Sequence, residues 1–268
     1  MLNIVLPIAG RGSRFVKAGY NLPKPLIPIH GTPMIEVIIR NIRPRQPHRF
    51  IFLALAEHLE STPLASILKT ADPGCTVVPV MGVTEGAACT VLLARDLINT
   101  AEPLMLANSD QYVDIDINEY LDQIACDRAD GSMLTFYSDH PKWSYARLDA
   151  NNYVTEVVEK QVVSQEATVG IYNFRRGCDF VRGAEQMIRR NLRVNNEFYV
   201  APAYNELIAA GAKITVYNIG DKMFGIGTPE DLEAFLAHPV SRKCAKERLP
   251  GEALPFPSAA ERCQQNPL

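Results

Sequence analysis

The sequence predicts an α/β fold in which a mainly parallel, Rossmann-like sheet is covered by helices on both faces. In the first half of the chain, short apolar runs typical of buried strands alternate with segments typical of helices, and this alternation indicates parallel strands. The first apolar run also passes directly into a glycine-rich turn, which is typical of the carboxyl end of such a strand. From residue 132 the segments are shorter, which predicts a smaller mixed or antiparallel sheet.

The elements of the first half follow a βα order. The predicted strands are apolar and rich in β-branched residues, and the segments between them have helical periodicity. Ligands collect beyond the carboxyl ends of such strands, so we expect the functional residues there. The predicted strands are residues 4–8, 50–56, 75–80 and 103–107, and the predicted helices are residues 33–43, 59–70 and 85–99.

The second half continues the same domain, because neither an internal repeat nor a low-complexity linker interrupts the chain. Residues 1–240 are therefore predicted to be a single domain with halves 1–131 and 132–240. Residues 241–268, which are charged at first and then rich in proline, are predicted to be an irregular C-terminal extension. The predicted strands of this half are residues 133–137, 145–148, 154–159, 167–174 and 214–218, and its helices are residues 179–190 and 202–210.

The composition narrows the classes of partner. A net charge of −3 argues against general nucleic-acid binding. No apolar run approaches the length of a membrane span and residues 1–9 carry no charged leader, so we expect a cytoplasmic protein without membrane contact. The six cysteines form no Cys-x-x-Cys pair, which argues against zinc and for free thiols. A homo-oligomer is compatible with the sequence.

The glycine-rich turn has the features of a polyphosphate site. Glycines at positions 10 and 12 allow the backbone N–H groups to approach an anion, while Arg14 and Lys24 provide positive charge. The turn is not a Walker loop, since no Gly-Lys-Ser/Thr follows at the right spacing. It is not a dinucleotide-binding turn either, because Phe15 stands at the third glycine position.

The stretch Gly-x-Gly-Ser-Arg-Phe, followed by Pro23-Lys24-Pro25, resembles the N-terminal signature of the sugar-phosphate nucleotidylyltransferase (nucleotide-sugar pyrophosphorylase) family. The resemblance covers roughly residues 2–235 and implies a GT-A-like nucleotidyltransferase fold, with residues 1–131 binding the nucleotide and residues 132–240 the acceptor. It implies that Lys24 contacts phosphate and that a loop holds the triphosphate, formed by Ala9, Gly10, Gly12, Ser13 and Arg14.

Asp110 is the candidate metal ligand. It follows the strand at 103–107, and a carboxylate there can hold Mg²⁺ or cap a turn. The resemblance implies the first role, together with a nucleotide contact by Asn108. Many members of the family carry a second metal-binding Asp where this chain has Gly225, and Asp221 is a candidate replacement.

The acceptor residues are also implied by the resemblance. Glu159 would contact sugar hydroxyls and Lys160 the acceptor phosphate, although an exposed ion pair at a strand end would give the same sequence. Gly170 would let the sugar approach the backbone, and Tyr145 and Glu197 would line the pocket. Ala146 departs from the Tyr-Gly pair that often contacts the sugar.

The base is expected near Glu85 and Gly86, just before a predicted helix. Glu85 is an acceptor that suits the amine of cytosine or the N–H groups of guanine, and it could equally complement the helix N-terminus. The sequence leaves the base and the acceptor open.

These residues predict a Mg²⁺-dependent nucleotidyltransferase that joins a nucleoside triphosphate to a sugar 1-phosphate or similar phosphomonoester and releases pyrophosphate. Arg14, Lys24, Asp110 and Lys160 are the predicted catalytic residues. By resemblance alone, the setting would be nucleotide-sugar and polysaccharide biosynthesis. One alternative is a GT-A-type glycosyltransferase that uses Asp114-Ile115-Asp116 to bind a metal. Another is a non-catalytic nucleotide-sugar binding module, suggested by Gly225.

Overall fold

The computed structural model describes residues 1–245, which fold into strands β1–β13 and helices α1–α10. The strands are β1 Leu2–Ile8, β2 Pro28–Ile29, β3 Thr32–Pro33, β4 His48–Leu55, β5 Thr76–Val80, β6 Leu104–Ala107, β7 Gln111–Val113, β8 Gly131–Tyr137, β9 Ser144–Leu148, β10 Val154–Glu159, β11 Glu166–Phe174, β12 Ile214–Asn218 and β13 Met223–Gly225. The helices are α1 Ser13–Lys17, α2 Met34–Ile42, α3 Ala56–Ser61, α4 Leu64–Ala71, α5 Ala87–Leu92, α6 Arg95–Ile98, α7 Ile117–Asp127, α8 Gly177–Arg189, α9 Ala203–Ala209 and α10 Pro229–Ala237. Two 3₁₀ helices span Lys24–Leu26 and Pro239–Cys244.

A nine-stranded sheet runs through both halves of the chain. Strand β1 pairs in parallel with β4 on one side and β6 on the other, while β5 extends the parallel part beyond β4 to the edge of the sheet. Strand β11 runs antiparallel to β6 and joins the strands of the second half. Strands β8 and β9 pair antiparallel to β11, β10 pairs antiparallel to β9, and β12 lies parallel to β8. The predicted α/β fold with a mainly parallel sheet is confirmed, and the mixed strands of the second half extend that sheet.

Side chains of alternate residues fill a core on each face of the sheet. On β1, Ile4 and Leu6 belong to one buried cluster and Val5 belongs to the other. All three are fully buried, as are Phe52 and Leu53 of the neighbouring strand β4. Strands buried on both faces have continuous apolar sequences, so this part of the sheet could be predicted from the sequence.

Two predicted helices are each divided in the structure. The predicted helix 59–70 becomes α3 and α4, because a residue before proline disfavours helical backbone angles and Thr62 precedes Pro63 in an extended conformation. The predicted helix 85–99 begins only at Ala87 and is divided into α5 and α6.

Several elements had no sequence prediction, among them α7, α10 and the short antiparallel pair β7–β13. Of the predicted irregular extension, residues 241–244 lie in the second 3₁₀ helix and residues 246–268 lie outside the described residues. Across residues 1–245, none of the helices combines the length and the apolar character that a membrane crossing requires.

Candidate active site

A cavity of about 570 Å³ opens at the carboxyl ends of β1 and β6 and faces the strands of the second half. This is the edge of a parallel sheet at which ligands are expected. Its polar and charged lining residues include Arg14, Lys24, Asn108, Ser109, Asp110, Gln111, Lys142, Ser144, Glu159, Lys160, Thr168, Tyr172, Tyr199, Thr228 and Asp231.

The glycine-rich turn positions Lys24 at this cavity. Gly12 has φ +60°, and a Cβ built there would stand 3.0 Å from the Cβ of Lys24, so the two segments approach closely because position 12 lacks a side chain. Lys24 begins a short 3₁₀ helix, and its Nζ donates a hydrogen bond of 2.5 Å to Oδ2 of Asp110. Gly10 and Arg14 also line the cavity. The structure therefore brings Asp110 together with four of the predicted triphosphate residues, namely Gly10, Gly12, Arg14 and Lys24.

Asp110 retains one buried oxygen for a further ligand. Its Oδ2 is held by Lys24, whereas its Oδ1 is buried and accepts no hydrogen bond from any described residue. A buried carboxylate oxygen without a partner is costly unless it binds a donor or a cation. Among residues 1–245, no group of three or more His, Cys, Asp or Glu side chains is arranged to hold a metal. This donor set fits Mg²⁺, which takes few protein ligands and completes its shell with water and phosphate.

Gly170 makes room for Asn108. Its φ is +94°, and a Cβ there would lie 2.5 Å from the Asn108 side-chain nitrogen and 3.0 Å from Oε1 of Gln111. The N–H of Asn108 donates to the Gly170 carbonyl at 2.9 Å. Glycine at this point of β11 therefore lets the end of β6 pack against the second half, and both residues line the cavity.

Glu159 and Lys160 occupy the opposite side of the cavity. Glu159 is buried, and it accepts a hydrogen bond from the Ser144 hydroxyl. Lys160 has φ +59°, an uncommon conformation for a residue with a side chain. Its Nζ lies 3.2 Å from Oε1 of Glu159 and donates to the Lys142 carbonyl at 2.6 Å. These contacts fix an ammonium group beside a buried carboxylate, and the acceptor contacts of Glu159 and Lys160 stay a prediction.

Tyr199 lines this side of the cavity, whereas Glu197 does not. Burial, together with the nearby carboxylates of Glu197 and Glu159, raises the pKa of Tyr199 to about 12. Its hydroxyl therefore keeps its proton near neutral pH, and a side-chain hydrogen bond with Glu197 contributes to the raised pKa. The Lys160 ammonium lies 5.4 Å from the centre of the Tyr199 ring, within the range of a cation–π interaction.

Lys142, Trp143 and Asp231 are cavity residues that the sequence reasoning missed. The Lys142 ammonium lies 3.1 Å from Oδ1 of Asp231 and 4.7 Å from the centre of the Trp143 ring. The chain has a single tryptophan, and it follows a lysine, which was the available signal. The pairing of Lys142 with Asp231 could not be inferred, because the two residues lie on segments that are distant in sequence.

Other predicted site residues do not line the cavity. Tyr145 is fully buried, and its hydroxyl donates to the His140 carbonyl. Ala9 is buried at the end of β1, and Ser13 is exposed at the start of α1. Asp221 is exposed in the turn between β12 and β13. A role for any of these four in substrate or metal binding stays a prediction.

Glu85 and Gly86 also lie outside the cavity lining, which includes their neighbour Ala87. The Glu85 carboxylate is exposed and forms an ion pair with Arg193. Gly86 has φ +135°, and a Cβ there would meet the backbone of Phe198 at 2.5 Å. This glycine therefore docks the start of α5 onto the second half, and the predicted base contact stays a prediction.

The two carboxylates of Asp114-Ile115-Asp116 have partners elsewhere. Asp114 forms an ion pair with Lys243 at 2.6 Å. Asp116 caps α7 by accepting from the N–H of Asn118 and forms an ion pair with Arg45. The hydrogen bonds from Asn118, followed by the charge of Arg45, lower the pKa of Asp116. Neither carboxylate lines the cavity, so the glycosyltransferase alternative loses its proposed metal motif.

Charge in the cavity is arranged in pairs. The described lining contains four cationic side chains, Arg14, Lys24, Lys142 and Lys160, and three carboxylates. Each carboxylate contacts one lysine: Asp110 contacts Lys24, Glu159 contacts Lys160 and Asp231 contacts Lys142. Cations at both ends of one cavity suit two phosphorylated ligands that meet between them.

The chain is similar to several known proteins in sequence and in fold. Bifunctional protein GlmU of Burkholderia orbicola (strain AU 1054) is 26% identical over 236 residues, which are 84% of this chain and 49% of that protein. The chain thus spans about half the length of the curated relatives it matches. The nucleoside-diphosphate-sugar pyrophosphorylase structure from Vibrio cholerae RC9 is 24% identical, with a TM-score of 0.70 over 89% of this chain and 100% of that one. A UDP-glucose pyrophosphorylase complexed with UDP-glucose is 18% identical, with a TM-score of 0.73 over 92% and 100% of the two chains.

These two structures establish the shared fold. The profile of the family described as "Nucleotidyl transferase" matches residues 3–200. That range includes the glycine-rich turn, Lys24, Asp110, Glu159 and Lys160. The match spans well over half of the chain, and the chain therefore belongs to the nucleotidyl transferase family of enzymes.

Proposed function

We propose that the protein is a Mg²⁺-dependent nucleotidyltransferase that condenses a nucleoside triphosphate with a sugar 1-phosphate or a similar phosphomonoester. The observation that carries this proposal is the single cavity in which Lys24 and Asp110 face Glu159 and Lys160. The two ends of the cavity would bind the two substrates. The products would be a nucleotide-activated sugar and pyrophosphate.

Transfer needs little covalent chemistry from the protein. An oxygen of the acceptor phosphate attacks the α-phosphorus of the triphosphate in line, and the bond from the α-phosphorus to its bridging oxygen breaks. The electron pair of that bond leaves with pyrophosphate. Arg14 and Lys24 stabilise charge on the departing group, and Lys160 positions the attacking phosphate. A phosphomonoester is already an anion near neutral pH, so no general base is required.

Asp110 would hold the metal ion, which when bound would neutralise charge around the α-phosphate. The buried, unpartnered Oδ1 of Asp110 supports this assignment. Lys24 contacts Oδ2 of the same carboxylate, so its ammonium group lies directly beside the proposed metal ligand.

Glu159 suits the hydroxyl groups of a sugar or polyol. Its carboxylate is buried beside Ser144 and Lys160, where it can accept hydrogen bonds that water cannot easily replace. Tyr199 lines the same end of the cavity. An acceptor that combines one phosphate with several hydroxyl groups therefore fits this end best.

The test is pyrophosphate release from ATP, CTP, GTP, UTP and dTTP with Mg²⁺, each combined with a panel of sugar 1-phosphates and other phosphomonoesters. We expect release with one triphosphate and one acceptor, and none after the metal is chelated. Pyrophosphate release without an acceptor would contradict the proposal. Sugar transfer from a nucleotide sugar to an alcohol would instead favour the glycosyltransferase alternative.

A further inference from the structure

Asp231 is a cavity carboxylate that the proposed transfer does not use. It is the third residue of α10, where an acidic side chain often bonds back to the first turn of its own helix. Here the Thr228 hydroxyl caps the helix by accepting from the N–H of Asp231. The Asp231 carboxylate instead accepts from the Lys142 ammonium, at 3.1 and 3.4 Å. Its side chain thus extends to another cavity residue and contributes little to its own helix end.

The Asp231 carboxylate lies beside β13. This strand pairs with β7, which begins directly after Asp110. A Cβ built on Gly225 would stand 3.7 Å from Oδ2 of Asp231. Gly225 ends β13, and it is paired with Gln111, the residue after Asp110. The next N–H along the chain, that of Ile226, donates to the Asp110 carbonyl at 2.9 Å. Asp231 therefore occupies the region that a side chain at position 225 would otherwise enter.

The same short segment also touches Asp110. A Cβ built on Gly227 would stand 2.9 Å from Oδ2 of Asp110. Residues 225 and 227 thus lie against the two carboxylates of Asp231 and Asp110, respectively. Each of these carboxylates contacts a lysine ammonium group, so a positive charge of the protein already lies beside it. Oδ1 of Asp110 has no partner among the described residues.

We infer that Asp231 is the second carboxylate of the divalent-cation site at Asp110, and that it exchanges Lys142 for the cation when the cation binds. The inference rests on the proposed function, because it extends the metal site assigned there to Asp110. Two carboxylates are a suitable protein contribution to Mg²⁺, whose other ligands are water and phosphate oxygens. Lys142, released from Asp231, would remain beside Trp143 as a cation facing an anionic substrate.

The test measures Mn²⁺ binding to the full chain, with the electron paramagnetic resonance signal of free Mn²⁺ as the readout. We expect Asp231→Asn to weaken Mn²⁺ binding about tenfold or more, since even partners outside a metal's own ligands contribute that much. The matched control is Glu230→Gln, which removes a neighbouring exposed carboxylate from the same helical turn. Equal Mn²⁺ affinity in the two variants would overturn the inference.

A second variant separates a lost ligand from a damaged fold. Gly225 has no φ in the left-handed region, and a Cβ there would make only ordinary contacts, the nearest at 3.6 Å from the Trp143 ring. The double variant Asp231→Asn, Gly225→Asp should therefore fold and recover Mn²⁺ affinity. A double variant that melts like the wild type yet fails to recover Mn²⁺ binding would also overturn the inference.

Asp110→Asn distinguishes this inference from the proposed function. If Asp110→Asn abolishes Mn²⁺ binding and Asp231→Asn leaves it unchanged, the metal site stands and only the role of Asp231 is overturned. If Asp110→Asn also binds Mn²⁺ like the wild type, the proposed metal dependence at this cavity is contradicted, and the inference falls with it.

Discussion

The two ends of the cavity are built in different ways. The nucleotide end is formed by one contiguous stretch, residues 10–24, together with Asp110 at the end of a neighbouring parallel strand. The acceptor end is assembled from Ser144, Glu159, Lys160 and Tyr199, which come from three separate segments of the second half. A short contiguous motif can thus position phosphate ligands by backbone geometry, whereas the acceptor end depends on the whole second half being folded.

The largest effect is expected at Asp110, the proposed metal ligand. Asp110→Asn keeps the size of the side chain but removes the charge, so we expect pyrophosphate release to fall about 10²- to 10³-fold, the range for losing one stabilising group at a reaction centre. Asp114→Asn is the matched control, because its carboxylate pairs with Lys243 outside the cavity. We expect less than about a twofold change in that control, as is usual for exposed ion pairs. Similar losses in both variants would contradict the account.

The two lysines should separate the ends of the cavity. Lys24→Gln should raise the KM for the triphosphate and Lys160→Gln the KM for the acceptor, each with a loss of about 10- to 100-fold in kcat/KM, because each removes a charge-assisted hydrogen bond. Steady-state kinetics with each substrate varied in turn would measure this. Equal effects of both variants on both KM values would show that the ends are not distinct.

A smaller effect is expected at the joint between the two halves. Gly170→Ala places a methyl group 2.5 Å from the Asn108 side-chain nitrogen at φ +94°, so we expect the free energy of unfolding to fall by about 2 kcal/mol or more. Gly225→Ala is the control, because a Cβ there meets nothing closer than 3.6 Å, and a loss of less than about 0.5 kcal/mol is expected. Denaturant titration compares the two, and equal losses would refute the role of Gly170.

The smallest effect concerns the pH dependence of the free energy of unfolding. Burial lowers the pKa of His58 from its ordinary value of 6.5, with Glu57 opposing and the nearby Arg11 adding to this shift. The unfolded chain therefore takes up a proton near pH 6.5 before the folded one does, and the free energy of unfolding should decline as the pH falls below that value. His58→Gln should flatten this decline in denaturant titrations between pH 5 and pH 8, and an unchanged slope would contradict it.

The sequence predicted the elements with local signals better than the contacts between distant segments, for a physical reason. The β1 strand and residues 10–24 carry their own signals, since apolar runs, glycines and a lysine between prolines act through local backbone geometry. Glu85 was expected at the base, but its carboxylate pairs with Arg193, a partner far along the chain. Lys142 and Asp231 meet only because β13 pairs with β7 and thereby positions α10, and local patterning carries no information on that pairing.

The most direct test is ³¹P NMR of one reaction that contains the active triphosphate, its acceptor, Mg²⁺ and the protein. The account predicts that each triphosphate lost yields one pyrophosphate and one product in which the α-phosphorus is coupled to the acceptor phosphorus. Formation of a nucleoside diphosphate with inorganic phosphate, or of pyrophosphate while the acceptor phosphorus remains a monoester, would contradict the claim that this cavity joins two phosphorylated substrates.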